Sequence, residues 1–448
     1  MKKLIGILLV ALLLTGCAAT NAATGDDGES DNIDVPTTVV TSKNIDLSTF
    51  SGTVEIANAG TYTLTGTLSD GGVLVTAPKD TDVTLILSNA DITNGTGAAI
   101  YATKCNLTVT LADGTANTLT DGGANYVYAK TDKEEPCAAL FAKNNMTVNG
   151  TGALTVNAGF RNGIHAKDDL VIDGGVITVY AVKKGLKGGD TLTVNGGDIN
   201  ITQSYEGIES ETVTITGGKI NIVSSDDGIN AAGESGTYTI NISGGDISIL
   251  AGGDGLDSNG ALNISGGRVV SIIGENSHGD EALDADGSIN ITGGTVIFGG
   301  VSTGIPSSTA STQSYVVVQN AAAGAEITVR SDGAVLASYT PNAALRYVAI
   351  SAPAITAGTS YDIYVNGVLS ATATGGVGGT GMGGGFGDRP NGGNGGFGGG
   401  TRPDFNGEIP DFNGETPDFG DRPAPPDGNF GGGTRNGRGE PIPSAPPV

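Results

Sequence analysis

An all-β fold, a right-handed parallel β-helix, is the class this sequence predicts, on three observations. The first is a series of glycine pairs, Gly174-Gly175, Gly196-Gly197, Gly217-Gly218, Gly244-Gly245, Gly266-Gly267 and Gly293-Gly294, spaced by 22, 21, 27, 22 and 27 residues. The second is strict apolar/polar alternation after each pair, as in Asp198-Ile199-Asn200-Ile201 and Asp246-Ile247-Ser248-Ile249. Alternation signals a strand, and Gly-Gly between runs signals a turn. The third is a glycine, an Ile or Leu and a polar residue later in each unit, as in Gly207-Ile208-Glu209 and Gly255-Leu256-Asp257, before a further alternating run. Three short strands per unit of about 22 residues make one coil, and tandem coils pair strand on strand. A single coil cannot bury its Ile and Val; a stack buries them in one continuous core. A sandwich of hairpins would not hold so fixed a register.

The chain opens with Met1-Lys2-Lys3, an apolar run from Leu4 to Leu14, and Thr15-Gly16-Cys17. A charged start, a short apolar stretch and small residues mark a secretory signal over residues 1–16, and the run is too short to span a membrane as a helix. Leu14-Thr15-Gly16-Cys17 resembles the bacterial lipobox. That resemblance implies cleavage before Cys17, lipid on its sulfur, and an extracytoplasmic protein anchored to a membrane. Residues 17–37 are small, polar and acidic, the composition of a flexible tether. Removal of Lys2 and Lys3 takes the formal charge from −25 to −27, from the full count of 22 basic and 47 acidic residues, which excludes nucleic acid as a partner. Nothing in the sequence calls for more than a monomer.

The β-helix is expected over residues 38–300. Its first coils are less regular, with strands at Val54-Glu55-Ile56, Tyr62-Thr63-Leu64, Val73-Leu74-Val75 and Val83 to Leu87. The charged stretch from Tyr126 to Pro136 is expected to protrude. Cys105 and Cys137 lie one coil apart at different places in the coil, so the sequence leaves open whether they are bonded. Residues 301–371 carry strands joined by Gly, Pro and Asn turns, antiparallel in character, which would cap the open edge of the stack. Residues 372–448, rich in Gly, Pro and Asp, cannot build a core and are expected to be a disordered tail.

The chemistry falls on one column. Thirteen residues after the first glycine of each turn come His165, Lys187, Glu209, Asn230 and Asp257; the next coil reaches Asp284 through Ala282-Leu283-Asp284, and earlier coils place Tyr101 and Phe141 in line. Because Ile208, Ile229 and Leu256 beside them must point inward, the column points outward, with neighbours about 4.8 Å apart. Eight coils make a strip of about 35 Å. Three residues upstream stand Glu206, Asp227, Asp254 and Glu281, with Asp226 and Asp286 nearby. Carboxylates stacked at this spacing repel by about 3 kcal/mol per adjacent pair at an effective dielectric of 20. A surface that repeats such a cost invites a counter-charge. Oxygen donors alone favour calcium, and the candidate ligands are Glu206, Glu209, Asp226, Asp227, Asn230, Asp254, Asp257, Glu281, Asp284 and Asp286. A plain solvated acidic face is the alternative.

Ser204-Tyr205-Glu206-Gly207-Ile208-Glu209, Ser225-Asp226-Asp227-Gly228-Ile229-Asn230-Ala231, Gly253 to Gly260 and Ala282-Leu283-Asp284-Ala285-Asp286-Gly287 together resemble a carbohydrate-binding bacterial β-helix family related to polysaccharide lyases. The resemblance spans about Thr38 to Ser370. It implies calcium and the binding of cellulose or acidic polysaccharides. The same residues resemble the Asp-Asp-Gly-x-Asp calcium motif of some pectate lyases, which use calcium to acidify a proton beside a uronate carboxylate and a Lys or Arg as base. Here the motif ends in Asn230, and the column's one lysine, Lys187, lies on the other side. That departure argues against cleavage and leaves Lys187 as the candidate base of an alternative calcium-dependent lyase. With no Trp and two isolated histidines, no triad is expected. The expected function is polysaccharide binding without cleavage. The expected sugar contacts are Tyr101 and Phe141, on whose rings a sugar could pack, and His165, Lys183, Lys184 and Lys187, part of a basic cluster with Arg161 and Lys167. A purely structural surface β-helix is the remaining alternative.

Overall fold

The computed structural model describes residues 37–131, 133–234, 236–274, 279–300 and 311–376. The expected signal segment, Cys17, nearly all of the expected tether and the tail beyond residue 376 lie outside the described residues. The described chain is a β-solenoid whose three strand faces run along one apolar core, with no α-helix among its elements.

One face is an eleven-stranded sheet, parallel throughout and in chain order. Its strands run from Thr37–Val39 through Asn162–Ala166, Lys184–Gly188, Glu206–Ser210 and Ile229–Ala231 to Leu256–Ser258 and Leu283–Ala285. The other two faces come from the alternating runs, such as Thr212–Ile215 and Lys219–Ser224. They join into one sheet because the long early strands Gly60–Leu68 and Asp82–Thr93 turn a corner without stopping. The corners fall at Gly66 and Asn89, both at positive φ.

Alternation does in this solenoid what it predicts. Ile208, Ile229 and Leu256 are fully buried, as are Ile220, Ile247, Val213 and Ile240 on the other faces. Each such side chain contributes about 1.5–3 kcal/mol when it leaves water, but only because the coils above and below cover it.

Glycine is required at two repeated places. The second member of each pair turns the corner at positive φ, from Gly175 at 96° to Gly294 at 77°. A separate ladder, Gly163, Gly185, Gly207, Gly228 and Gly255, precedes the inward Ile or Leu of the eleven-stranded sheet. A Cβ on Gly228 would lie 2.3 Å from Ile249 Cγ2 and 2.5 Å from the Gly255 carbonyl oxygen.

At the C-terminal end Thr295–Gly300 pairs antiparallel with Leu345–Ser351, which pairs with Tyr315–Ala321. A four-stranded antiparallel sheet follows, in the order Ala334–Tyr339, Ile327–Ser331, Ser360–Val365, Val368–Thr374. These strands bury Val270, Ile272 and Ile297 on the solenoid's flank, so the end is capped as the sequence predicts.

The stretch from Tyr126 to Pro136 does not protrude. It folds back onto the eleven-stranded sheet: Lys130 and Glu135 are buried, and Tyr126 and Cys137 form a separate small core with Leu74, Tyr101 and Phe141. Its apolar residues are few and out of period, so the sequence gives no pattern that announces this docking. Cys105 and Cys137 are both buried and not bonded to each other.

Candidate functional site

Strand register assembles the column as expected. Tyr101, Phe141, His165, Lys187, Glu209, Asn230, Asp257 and Asp284 stand opposite one another on successive strands. Three residues upstream, Lys184 pairs with Glu206, and backbone bonds carry that ladder on through Asp227, Asp254 and Glu281. One residue further out, the turns stack as well: Lys183 N donates to Arg161 O (2.7 Å), Tyr205 N to Lys183 O (2.8 Å) and Asp226 N to Tyr205 O (2.8 Å). The site is therefore three parallel ladders, basic and aromatic at one end and acidic at the other.

At the acidic end, carboxylates converge. Asp227, Asp254 and Asp257 each present an oxygen, and these lie within 4.8 Å of one another; Glu206, Asp226 and Asp227 do the same. Asp254 N donates to Asp227 Oδ1 at 2.9 Å, and Glu281 N donates to Asp254 Oδ1. Burial, then the charges of Asp226, Asp257 and Glu206, push the Asp227 carboxyl up to about 9. Burial raises Asp254 to about 7, against the Glu281 N–H and with help from Asp257 and Asp284. Asn230 sits between Glu206 and Asp227, its Nδ2 3.4 Å from Glu206 Oε2 and from Asp227 Oδ2. Its Oδ1 is buried with no hydrogen-bond partner among the described residues. Crowded carboxylates beside an orphaned amide oxygen are the donor set of a hard cation such as calcium, so the residues present fit that ion. Glu281, Asp284 and Asp286 join neither group; Asp284 Oδ1 accepts from Ala285 N, and Asp286 stands exposed in the turn beyond the strand.

At the other end the charges close on one another. Lys184 Nζ bridges Glu206 Oε1 and Glu209 Oε2, and Lys187 Nζ holds Glu209 Oε1. Burial would raise Glu209, but Lys184 and Lys187 outweigh it and hold its carboxyl well below the usual range. Glu209 thus already has two cations and joins neither carboxylate group, while Glu206 shares Lys184 and still faces Asp226 and Asp227. Lys167 pairs with Glu135, and Arg161 Nη1 reaches Glu134 Oε2 at 2.7 Å and Tyr128 Oη at 2.9 Å.

The structure corrects the expected sugar contacts here. Tyr101 is 5 % and Phe141 0 % exposed, because the folded-back stretch lies over them. The stretch is pinned by the Asp121 carboxylate, which accepts from Gly123 N and Gly159 N at 2.9 Å and from Phe160 N at 3.3 Å. Tyr126 adds a ring stacked on Phe160 at 4.3 Å and a hydroxyl that donates to Ala138 O. His165 is buried too, and it is not isolated: Cys137 Sγ lies 3.2 Å from its Nδ1, with Asn162 Nδ2 3.4 Å away. Burial, then Lys187, keeps this ring neutral down to about 3. Of the expected contacts, Lys183 remains on the half-exposed outer ladder. Arg161 belongs to the expected basic cluster, and Tyr205 beside Lys183 is new; both stand four residues upstream of the column, at the same fixed offset as Lys183.

A family model described as carbohydrate-binding domain-containing protein matches residues 51–304. A relative from Acetivibrio thermocellus with the same description is 38 % identical over 190 residues, covering 40 % of this chain; the chain spans 65 % of that relative's length. A solved structure of a polysaccharide lyase-like protein from C. thermocellum, a gadolinium derivative, is 32 % identical, with 55 % of this chain and 84 % of that one covered at a TM-score of 0.38. The chain belongs to the carbohydrate-binding domain family, since the family model covers more than half of it.

Proposed function

We propose that this protein is an extracytoplasmic, lipid-anchored polysaccharide-binding protein, whose acidic coils hold calcium and which binds an acidic or cellulosic chain without cleaving it. The observation that carries the reading is the group of Asp227, Asp254 and Asp257 beside the buried, unpartnered Oδ1 of Asn230. The carboxyls of Asp227 and Asp254 are pushed far above their ordinary range, chiefly by burial and also by neighbouring carboxylates, a cost that a bound cation removes. Asp227, Asp254, Asp257 and Asn230 would hold it, with Asp226 at the rim. Bound there, calcium supplies positive charge that can also meet a sugar carboxylate. Anchoring rests on Leu14-Thr15-Gly16-Cys17. The membership in a carbohydrate-binding family supports the polysaccharide as partner.

Cleavage by a calcium-dependent lyase is the second reading. It needs a neutral base beside the sugar, and Lys187 instead holds Glu209 in an ion pair. The test has three arms: calcium titration by calorimetry near neutral pH, a glycan array with and without chelator, and ultraviolet absorbance of unsaturated product from polygalacturonate. Calcium binding, chelator-sensitive glycan binding and no new absorbance are expected. A flat calcium titration would sink the metal assignment, and growing absorbance would replace binding by lysis.

A further inference from the structure

We propose that the polysaccharide is gripped on the outer turn ladder formed by Arg161, Lys183 and Tyr205, and that this shoulder selects a chain bearing carboxylates. The inference rests on the polysaccharide-binding reading and places the contact outside the column. The backbone bonds between these three residues set their side chains on successive coils, about 10 Å from first to last. That is room for a short run of sugar rings.

The chemistry of the three fits an anionic sugar. Lys183 Nζ lies 4.8 Å over the Tyr205 ring, while Lys184, 5.9 Å from the same ring, is turned in toward Glu206 and Glu209. Lys183 is half-buried; burial, then the like charges of Lys184 and Arg161, press its ammonium below the usual lysine range. A ligand carboxylate relieves that crowding. Arg161 is one-third exposed, and among the described residues its side-chain bonds leave from Nη1, so the rest of its planar fork can take a carboxylate. Phe160 and Tyr128 flank it as half-buried rings, 5.4 Å apart and edge to face, with Phe160 stacked on Tyr126. Rings already fixed by packing offer faces to sugar C–H groups at little ordering cost. Past Tyr205 the next rung is Asp226, so a chain on the shoulder runs on toward the acidic coils.

The experiment is calorimetry of the full chain, saturated with calcium, against oligogalacturonate and a neutral cello-oligosaccharide. Lys183→Met and Tyr205→Ala should each weaken oligogalacturonate binding by about tenfold. Lys219→Met, whose lysine pairs with Asp198 on another face, should bind as the parent does. Calcium affinity should be the same in all. Should Tyr205→Ala lower the melting temperature, Tyr205→Phe, which keeps the ring, should restore parental affinity. Added salt should weaken oligogalacturonate binding. If the parent binds oligogalacturonate and Lys183→Met and Tyr205→Ala bind it equally well, the shoulder is not the site, although the polysaccharide-binding reading stands. If the parent prefers the neutral oligosaccharide and Lys183→Met changes nothing, the charge selection is wrong. If the parent binds neither, the underlying reading falls and the shoulder with it.

Discussion

The two ends of the column share a backbone and differ in how their charges are satisfied. From Tyr101 to Glu209 the sheet is covered by the folded-back stretch or closed by Lys184 and Lys187 on Glu206 and Glu209. From Asp227 to Asp257, on the next coils of the same sheet, carboxylates crowd with no such lysine in the ladder positions. Burial treats both ends alike; the chemistry at each rung decides whether it is met from inside. A solenoid fixes the spacing of its rungs and leaves each coil free to change residue, so a closed network and an open cation site can adjoin without any change of fold.

The hardest test of that contrast is Lys184→Ala. It leaves Glu206 and Glu209 buried with one bridging cation gone, and breaking a buried pair this way costs about 3–5 kcal/mol. The variant moves the acidic end one coil toward the N-terminus, so calcium should stabilise it more than it stabilises the parent. Thermal unfolding with and without calcium measures both effects; equal calcium shifts in variant and parent would show that the two ends are independent. The double variant Lys184→Glu and Lys187→Glu should be worse still.

Gly228→Ala should damage both ends together. Its Cβ would press on Ile249 and on the Gly255 carbonyl, and overpacking of this kind costs about 1–3 kcal/mol. A variant that loses calcium binding while keeping the parental melting temperature would contradict the shared ladder.

Calcium itself should act at one end. At a hundredfold excess over its Kd it should add about 2.7 kcal/mol of stability. Asp227→Ala and Asp257→Ala should abolish most of that gain, and Asp121→Asn none of it. Chelator titrations followed by melting temperature read this directly.

The column was legible because its residues repeat at a fixed offset from a glycine turn, and parallel pairing converts equal offsets into one line of side chains. The capping strands were legible from their turns. Three things were not. Lys184 and Glu206 are the first residues of their strands, where the sequence has no alternation yet to fix a side chain's direction, so they could not be seen to meet. The docking of the Asp121 to Cys137 stretch depends on Tyr126, Phe160 and a carboxylate that gathers three backbone N–H groups, a contact specific to one coil. The meeting of Cys137 with His165 follows from that docking and from nothing local.

The smallest expected effect is also the one that dissects the covered end. Asp121 is pushed up to about 6, chiefly by burial and against the N–H groups of Gly123, Phe160 and Gly159. Its folded value lies above its unfolded 3.8. The folded state therefore holds extra proton between about pH 4 and 6, and stability falls as pH rises across that window. His165 is lowered from 6.5 to about 3 by burial and by Lys187, Lys167 and Arg161, with Glu209 opposing. Here the unfolded state holds the extra proton, so stability falls as pH drops from about 6.5 toward 3. The two slopes oppose each other where they overlap, each worth about 1.4 kcal/mol per pH unit at most, and the parent should show little of either. Asp121→Asn should unmask the histidine, with stability relative to the parent climbing from pH 4 to 6. His165→Gln should unmask the aspartate, with relative stability falling across the same range. Urea unfolding of parent and both variants at pH 4, 5 and 6 gives the difference curves, in which the carboxylates of the acidic end cancel. If both difference curves are flat, neither group is held away from its ordinary titration, and the covered end is wetter than its packing implies.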